Sequence, residues 1–332
     1  IHTENPETIF PDMKFDVIIG NPPYQLSDGG NGASASPLYH RFVRQAQKLK
    51  PRYLTMIIPS RWFGGGKGLD DFRREMLNDN HIRVLVDYEN ASDCFPGVDI
   101  AGGVCYFLWD RDNPGLCDVV NIRNNETMHS VRALNEFDTF IRHDQAASIV
   151  RKVCAFGEPM MSNMVSSSKP FGLRTFVRPQ ESGDILLRWQ NGEGPYRRDE
   201  ITVGRELIDK WKVITSYVGY DHAGNPGKDG KRRVFSKIDI LPPGTICTET
   251  YLVVGSFDTK QEAKNLVAYM KTLFFRFLIA QCMYSHHITK EAYRLVPIQD
   301  FSQSWTDEKL YAKYGITDEE IKFIESMVRL ME

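Results

Sequence analysis

The first 110 residues alternate between short continuous apolar runs and segments whose apolar residues recur at helical spacing. Continuous runs predict strands buried on both faces of a sheet, and the helical spacing predicts helices between them. The predicted order is strand 15–20, helix 38–49, strand 53–58, helix 69–77, strand 82–86 and strand 103–109. This alternation predicts an α/β fold with a doubly wound sheet and right-handed crossovers.

Beyond residue 110 the pattern changes. Residues 111–145 are polar, and their apolar runs are interrupted. In 162–233 glycine, proline, arginine and aromatic residues alternate, which predicts short strands and exposed loops. Helical spacing returns at 260–282 and in a terminal helix with Thr317 as its N-cap and Glu320 three positions on. The predicted divisions are a sheet domain at 1–125, a mixed α+β domain at 126–305 and a helical tail at 306–332.

Composition describes an ordinary soluble protein of about two domains, with 332 residues, 42% hydrophobic and 25% charged. No apolar run approaches the roughly 20 residues of a membrane helix. The net charge of −2 argues against indiscriminate coating of nucleic acid but allows a local basic face. The six cysteines form no CxxC pair, so we expect neither a metal site nor disulfides, and a cytoplasmic location.

The most specific chemistry lies where the first predicted strand ends, in "DVIIGNPPYQ" at 16–25. Ligands of open α/β sheets bind beyond the carboxyl ends of the strands. The prolines donate no N–H, so the carbonyls beside them and the Asn21 amide oxygen are available as acceptors next to the Tyr24 ring. Such a corner suits a flat ring that carries an exocyclic NH₂. An ordinary proline-terminated strand with a buried tyrosine fits the same spacing.

Several motifs resemble one enzyme family. "FDVIIGNPPY" at 15–24 resembles the catalytic motif of S-adenosylmethionine-dependent amino-methyltransferases, in the form associated with N6-adenine DNA methylation. Residues 37–63 and 94–110 resemble later sheet motifs of the gamma class, and 304–326 resembles the tail of combined restriction-modification polypeptides. The resemblance implies the C-terminal half of a doubly wound, Rossmann-like methyltransferase sheet, followed by a mixed α+β target recognition domain.

The resemblance also implies roles for individual residues. An adenine flipped out of the DNA would stack on Tyr24, and its N6 hydrogens would bond the Asn21 side chain and the Pro22 carbonyl. The cofactor, S-adenosyl-L-methionine, would contact Asn21, Pro37 and Leu38. The methyl group would pass directly to N6, without a covalent enzyme intermediate.

One aromatic position stays open at this stage. Phe107 aligns with the family residue that walls the adenine pocket, although Phe95 or Tyr106 fits the same role and Phe107 fits a plain strand core equally well. The glycine-rich stretch 25–37 follows the catalytic corner, and we interpret it as a loop that orders over the flipped nucleotide, or as a plain connector.

The main cofactor-binding motif of this family, a glycine-rich turn after the first strand, is not found. The 14 residues before Phe15 contain no glycine, and "GGGKG" at 64–68 follows a later strand and is interpreted as a mobile loop. Because the chain opens on Ile1, we expect it to be part of a longer protein. We therefore expect weak cofactor binding, no activity for this chain alone, and an open edge on strand 15–20 that the missing N-terminal half or another chain covers.

The second domain carries basic loops that we predict to contact double-stranded DNA. The candidates are Arg197, Arg198, Lys231, Arg232 and Arg233. Solvated surface is the competing interpretation of the same residues.

Two other functions remain open. Enzymes that methylate guanine N2 in RNA or a glutamine amide in proteins share the Asn-Pro-Pro-Tyr motif, but the second domain is larger than a protein-glutamine methyltransferase needs. The chain also fits a non-enzymatic fragment that binds specific DNA. The sequence shows no convincing nuclease site.

Overall fold

The computed structural model describes residues 8–9, 14–25, 36–123, 126–221, 227, 229–285 and 287–331. The chain forms two compact units, Ile1–Asp144 and Gln145–Glu332. Most of the predicted loop at 25–37 lies outside the described residues, which include only positions 25, 36 and 37 of it.

The first unit is built on one mixed sheet. Its strands are β1 (Val17–Gly20), β2 (Tyr53–Pro59), β3 (Ile82–Tyr88), β4 (Val104–Asp110), β5 (Cys117–Arg123) and β6 (Glu126–Arg132), and its helices are α1 (Tyr39–Lys48) and α2 (Asp70–Asn78). The strand order is β1-β2-β4-β3-β5-β6. β1 is parallel to β2 and β3 to β5, whereas β4 is antiparallel to both of its neighbours. The predicted α/β class is confirmed.

Sequence pattern explains where these elements bury their side chains. β4 lies between β2 and β3, and Val104, Cys105 and Phe107 in its continuous apolar run are fully buried. In α1 the helical spacing places Val43 and Ala46 on one buried face. Burial of these side chains stabilises the unit by roughly 25 cal/mol for each Å² of apolar surface removed from water.

The structure extends the sheet beyond the predicted domain boundary at residue 125. β6 pairs along its whole length with β5, so the division falls after Asp144. The sequence of β6, "ETMHSVR", is polar because most of this edge strand is exposed, and its pattern therefore resembles a loop. β4 returns antiparallel because the segment that joins it to β3 contains no α-helix to carry a parallel crossover.

The second unit is mixed α+β, as predicted. Its strands are β7 (Ile185–Trp189), β8 (Gly192–Tyr196), β9 (Trp211–Ser216), β10 (Ile238–Leu241), β11 (Thr245–Cys247) and β12 (Tyr251–Phe257). They form two three-stranded sheets, in the orders β10-β9-β12 and β11-β7-β8. Leu187, Ile214, Ile246 and Val253 are among the buried residues of one core that includes both sheets.

Helices complete the second unit. They are α3 (Asp144–Cys154), α4 (Lys260–Lys271), α5 (Leu273–Gln281), α6 (Asp307–Tyr314) and α7 (Asp318–Met327). The single helix predicted at 260–282 is divided at Thr272, which caps α5. The capping box of Thr317 and Glu320 is confirmed. None of the described helices is both long and apolar enough to cross a bilayer.

The predicted tail does not form a body of its own. Phe274 of α5 stacks on Tyr314 of α6 with ring centroids 5.1 Å apart, and Phe277 of α5 meets Phe323 of α7 edge-on at 5.9 Å. The last two helices therefore belong to the core of the second unit.

Candidate active site

A cavity of about 680 Å³ opens in the first unit at the carboxyl end of β1. Its lining comes from the corner after β1, the start of α1, the end of β2 with the turns that follow it, and the segment between β3 and β4. The lining residues are Asn21, Pro22, Pro23, Tyr24, Gln25, Pro37, Tyr39, Pro59, Arg61, Lys67, Phe95, Val98, Asp99, Ile100 and Ala101. The predicted corner therefore faces a cavity large enough for a nucleobase.

The two predicted acceptors of the corner are open. Among the described residues, neither the Asn21 side-chain amide nor the Pro22 carbonyl has a hydrogen-bond partner. The following residues are fixed, since the Leu38 N–H donates to the Tyr24 carbonyl at 3.0 Å and Gln25 forms an isolated bridge with Pro37. The Asn21 amide and the Pro22 carbonyl are therefore available as acceptors, and the backbone of the residues that follow them is held by contacts with Pro37 and Leu38.

Tyr24 presents an aromatic ring to this cavity. The residue is half-buried, and burial raises the pKa of its phenol. The phenol oxygen is buried and has no hydrogen-bond partner among the described residues. The ring, rather than the hydroxyl, is therefore the group that Tyr24 offers to a ligand.

The structure places Phe107 away from the cavity. Phe107 is fully buried at the centre of the sheet, opposite Met56 on β2 and Leu85 on β3. Its position agrees with the strand-core alternative and corrects its assignment as a pocket wall. Phe95, which the sequence left as an alternative, lines the cavity, whereas Tyr106 does not.

Of the three residues predicted to contact the cofactor, two line the cavity and one supports the cavity wall. Pro37 lines the cavity together with Asn21. Leu38 is buried and precedes α1, so it supports this wall through packing and its hydrogen bond to Tyr24.

β1 lies at one end of the sheet that the described residues form. Among the described residues it pairs with β2 alone. Val17 and Ile19 on one of its faces are 50% and 77% exposed. An apolar edge of this kind is a site for pairing with another strand.

The sequence interpretation missed two basic residues of the cavity wall. Arg61 lies in the 3₁₀ turn that follows β2, and Lys67 lies in the glycine-rich turn after it. The rule that located Asn21, that ligands bind beyond the carboxyl ends of strands, also applies to the end of β2 and would have found them.

A buried ionic cluster supports this end of the sheet. Asp87 on β3 is fully buried, accepts a hydrogen bond from Ser60 Oγ at 2.8 Å and pairs with Arg142 Nε at 2.8 Å. Arg142 also donates to the Gly102 carbonyl. Ser60 adjoins Arg61, and Gly102 adjoins the cavity-lining Ala101, so the cluster ties two parts of the wall together.

Three of the predicted DNA contacts lie in one segment of the second unit. Arg232 is buried and donates to the Ala280 carbonyl at 3.0 Å, so this residue supports the fold and its prediction as a DNA contact is corrected. Arg233 lies over the Tyr220 ring, 4.5 Å from its centroid. Lys231 is partly exposed.

The other two predicted contacts are paired with carboxylates. Arg197 bonds Asp199 at 2.7 Å, and Arg198 makes two bonds to Asp209, at 2.7 and 2.8 Å. Both arginines are at least one-third exposed, so a DNA phosphate would have to compete with these acids.

Comparison with known proteins identifies similar sequences and structures. Residues 2–95 match the profile of the Eco57I restriction-modification methylase family. A segment of 114 residues, 33% of this chain, is 45% identical to an uncharacterized adenine-specific methylase of Mycoplasma pneumoniae (strain ATCC 29342 / M129 / Subtype 1) and covers 26% of that protein. The predicted resemblance to restriction-modification methylases is thereby confirmed.

Similar solved structures include the type IIL restriction-modification enzyme MmeI in complex with DNA, with a TM-score of 0.46, 9% identity and coverage of 84% of this chain and 45% of that one. The type IIG restriction endonuclease BpuSI gives a TM-score of 0.35 at 10% identity, with coverage of 91% and 49%. The chain thus spans about a quarter of the curated relative and less than half of either structure.

Proposed function

We propose that this chain carries the base-binding half of a DNA methyltransferase that modifies N6 of adenine within a restriction-modification system. The observation that carries the proposal is the pair of open acceptors, the Asn21 amide and the Pro22 carbonyl, beside the Tyr24 ring in a cavity of about 680 Å³. The family match over 2–95 and the 45% identity to an adenine-specific methylase support it.

The residues of the corner act on the acceptor base. An adenine taken out of the stack lies against the Tyr24 ring, and its two N6 hydrogens bond the Asn21 side-chain oxygen and the Pro22 carbonyl. These bonds draw the N6 lone pair out of conjugation with the ring and orient it for methylation. Phe95 faces the same cavity and takes the place that Phe107 was predicted to fill.

The residues present fit one side of a bound S-adenosylmethionine. Asn21 and Pro37 line the cavity next to β1, whose outer edge has no partner strand among the described residues, and the buried Leu38 follows Pro37. When bound there, the cofactor supplies an electrophilic methyl group. Asn21 contacts both ligands in this arrangement and so aligns the base with the methyl donor.

The second unit would hold the DNA around the target base. Arg197, Arg198, Lys231 and Arg233 are the proposed contacts, and Arg232 is excluded because it is buried. A strand from an N-terminal segment or from another chain would pair with the open edge of β1.

The direct test is expression of the complete reading frame in a host that lacks adenine methylation, followed by mass spectrometry of the nucleosides. We expect N6-methyldeoxyadenosine in the DNA. Asn21→Ala should slow its formation by the equivalent of about 3 kcal/mol, since it removes one preorganised polar partner. Asn113→Ala, in an exposed loop of the same unit, is the matched control.

Other modifications would contradict the proposal. Methylation confined to guanine in RNA or to protein glutamine would assign the corner to one of the other Asn-Pro-Pro-Tyr enzymes. Unmodified DNA, RNA and protein in cells that contain folded enzyme would favour a non-enzymatic DNA-binding role.

A further inference from the structure

The cavity wall carries two cations that the proposed reaction does not use. Arg61 and Lys67 both line the cavity, from consecutive turns after β2. Asp99 is the one acidic residue of the described lining, and it lies on the segment between β3 and β4. The wall after β2 is therefore locally basic.

Neither cation is neutralised within the described chain. Neither Arg61 nor Lys67 has an ion-pair partner among the described residues, and the Arg61 Nε is buried without a hydrogen bond. Burial lowers the pKa of Arg61, and burial and the nearby Arg61 charge lower the pKa of Lys67. A bound anion would favour the charged forms of both groups.

The backbone at Lys67 holds a conformation that side chains rarely adopt. Lys67 has φ of 50°, and the flanking Gly66 and Gly68 have φ of 76° and 80°. A left-handed conformation costs an ordinary residue roughly 1 to 2 kcal/mol. Such strain persists where the surroundings impose it, and it is concentrated at functional sites.

The start of α2 imposes this conformation. The Asp70 carboxylate accepts the Gly66 N–H at 3.1 Å, and Arg73 donates to the Gly64 carbonyl at 2.7 Å. The glycine-rich stretch thus forms a turn that is hydrogen-bonded to the start of α2.

We propose that Arg61 and Lys67 form a binding site for a DNA phosphate next to the extruded adenine. The assignment rests on the proposed function. A planar guanidinium fork and a compact ammonium together match the oxygens of one phosphodiester.

We choose a phosphate rather than an anionic group of the cofactor because the two cations follow a different strand from Asn21. β2 pairs with β1 on the side opposite to the open edge. Arg61 and Lys67 follow β2, whereas the residues proposed to contact the cofactor lie beside β1.

The test measures binding of this chain to labelled single strands by fluorescence anisotropy. The reference strand is a nine-mer of thymidines with one central adenine, and in its variants one phosphate is replaced by a neutral methylphosphonate. Neutralising the phosphate on one side of the adenine should weaken binding about tenfold, since a charge-assisted contact is lost. Neutralising a phosphate at the end of the strand should change the affinity less than about twofold.

Protein variants identify the groups responsible. In Arg61→Gln and in Lys67→Gln the penalty for the neutral phosphate next to adenine should fall to about twofold or less, because its partner is already missing. Arg74→Gln and Lys48→Gln, on exposed positions of α2 and α1, should keep the full penalty. Lys67→Gln changes an exposed side chain, so it tests the site even if Arg61→Gln reduces folding.

Two results would overturn the proposal. One is an equal penalty at all phosphates of the strand in the unmodified protein. The other is a penalty that both variants retain in full, which would assign the cations to a different anion. Failure of the proposed function is distinct, because an all-thymidine strand would then bind as well as the adenine strand.

Discussion

At the scale of single residues, the contributions of the Tyr24 ring and the Tyr24 hydroxyl can be measured separately. Its ring faces the cavity, while its buried hydroxyl makes no hydrogen bond among the described residues. Tyr24→Phe should therefore keep the affinity for an adenine-containing single strand, and Tyr24→Ala should lose about 1 to 3 kcal/mol, the usual contribution of one stacked base. Fluorescence anisotropy measures both. A Phe variant as weak as the Ala variant would show that the hydroxyl, not the ring, makes the contact.

The position of the corner was predictable from the sequence because it depends on neighbouring residues alone. Asn21, Pro22 and Tyr24 lie together after β1 and line the cavity. Phe107 and Arg232 were not predictable, because their burial depends on strands and helices that are distant in sequence.

At the scale of elements, the cluster on β3 determines how the cavity wall is held. Asp87 and Arg142 are almost completely buried and paired at 2.8 Å. Asp87→Asn should lower the free energy of unfolding by about 3 kcal/mol, because it leaves a buried guanidinium without its countercharge. Urea denaturation measures the change. Asp112→Asn, in an exposed pair, is the control and should lower the free energy of unfolding far less. Equal losses in the two variants would contradict the structural role.

Glu320 at the start of α7 makes the stability of the second unit depend on pH, and the direction follows from the pKa of its carboxyl group. Burial raises its pKa, but hydrogen bonds from Lys152, Ser148 and the Thr317 N–H outweigh this effect and lower the pKa below its usual value. Its stabilisation is therefore complete above about pH 4.3, the usual pKa of an unfolded glutamate, and is lost as pH falls through the lower folded value.

The matching experiment is urea denaturation of the second unit between about pH 6 and pH 3. Unmodified protein should lose stability more steeply across this range than Glu320→Gln does. Glu319→Gln, exposed on the same helix, should follow the unmodified protein. Parallel curves for all three proteins would show that Glu320 contributes nothing to the acid sensitivity.

Helices and strands with a regular spacing of apolar residues were predictable from the sequence. An exposed edge strand and a break within an apolar helical segment were not. β2, α2 and β3 lie within two residues of their predicted bounds. β6 was missed because an exposed edge strand needs few apolar residues, and the break at Thr272 was missed because apolar residues continue across it.

For the molecule as a whole, the edge of β1 is the feature with the clearest consequence. Ile19 is 77% exposed on a strand with one described partner. We expect this chain to self-associate, and Ile19→Lys to reduce self-association in sedimentation velocity, since a charge on an edge strand opposes pairing. Leu116→Lys, in an exposed loop, should have no such effect. Monomeric behaviour of the unmodified chain at high concentration would contradict the prediction.

The most direct test of the central claim compares two bases that differ in a single amino group. A nine-mer with one adenine and the same strand with unsubstituted purine at that position are titrated against this chain by fluorescence anisotropy. If Asn21 and Pro22 accept the N6 hydrogens, adenine should bind about tenfold more tightly, since two hydrogen bonds are lost with purine. In Asn21→Ala the difference should shrink to about threefold. Equal affinity for the two strands, or a preference that Asn21→Ala leaves unchanged, would contradict the account.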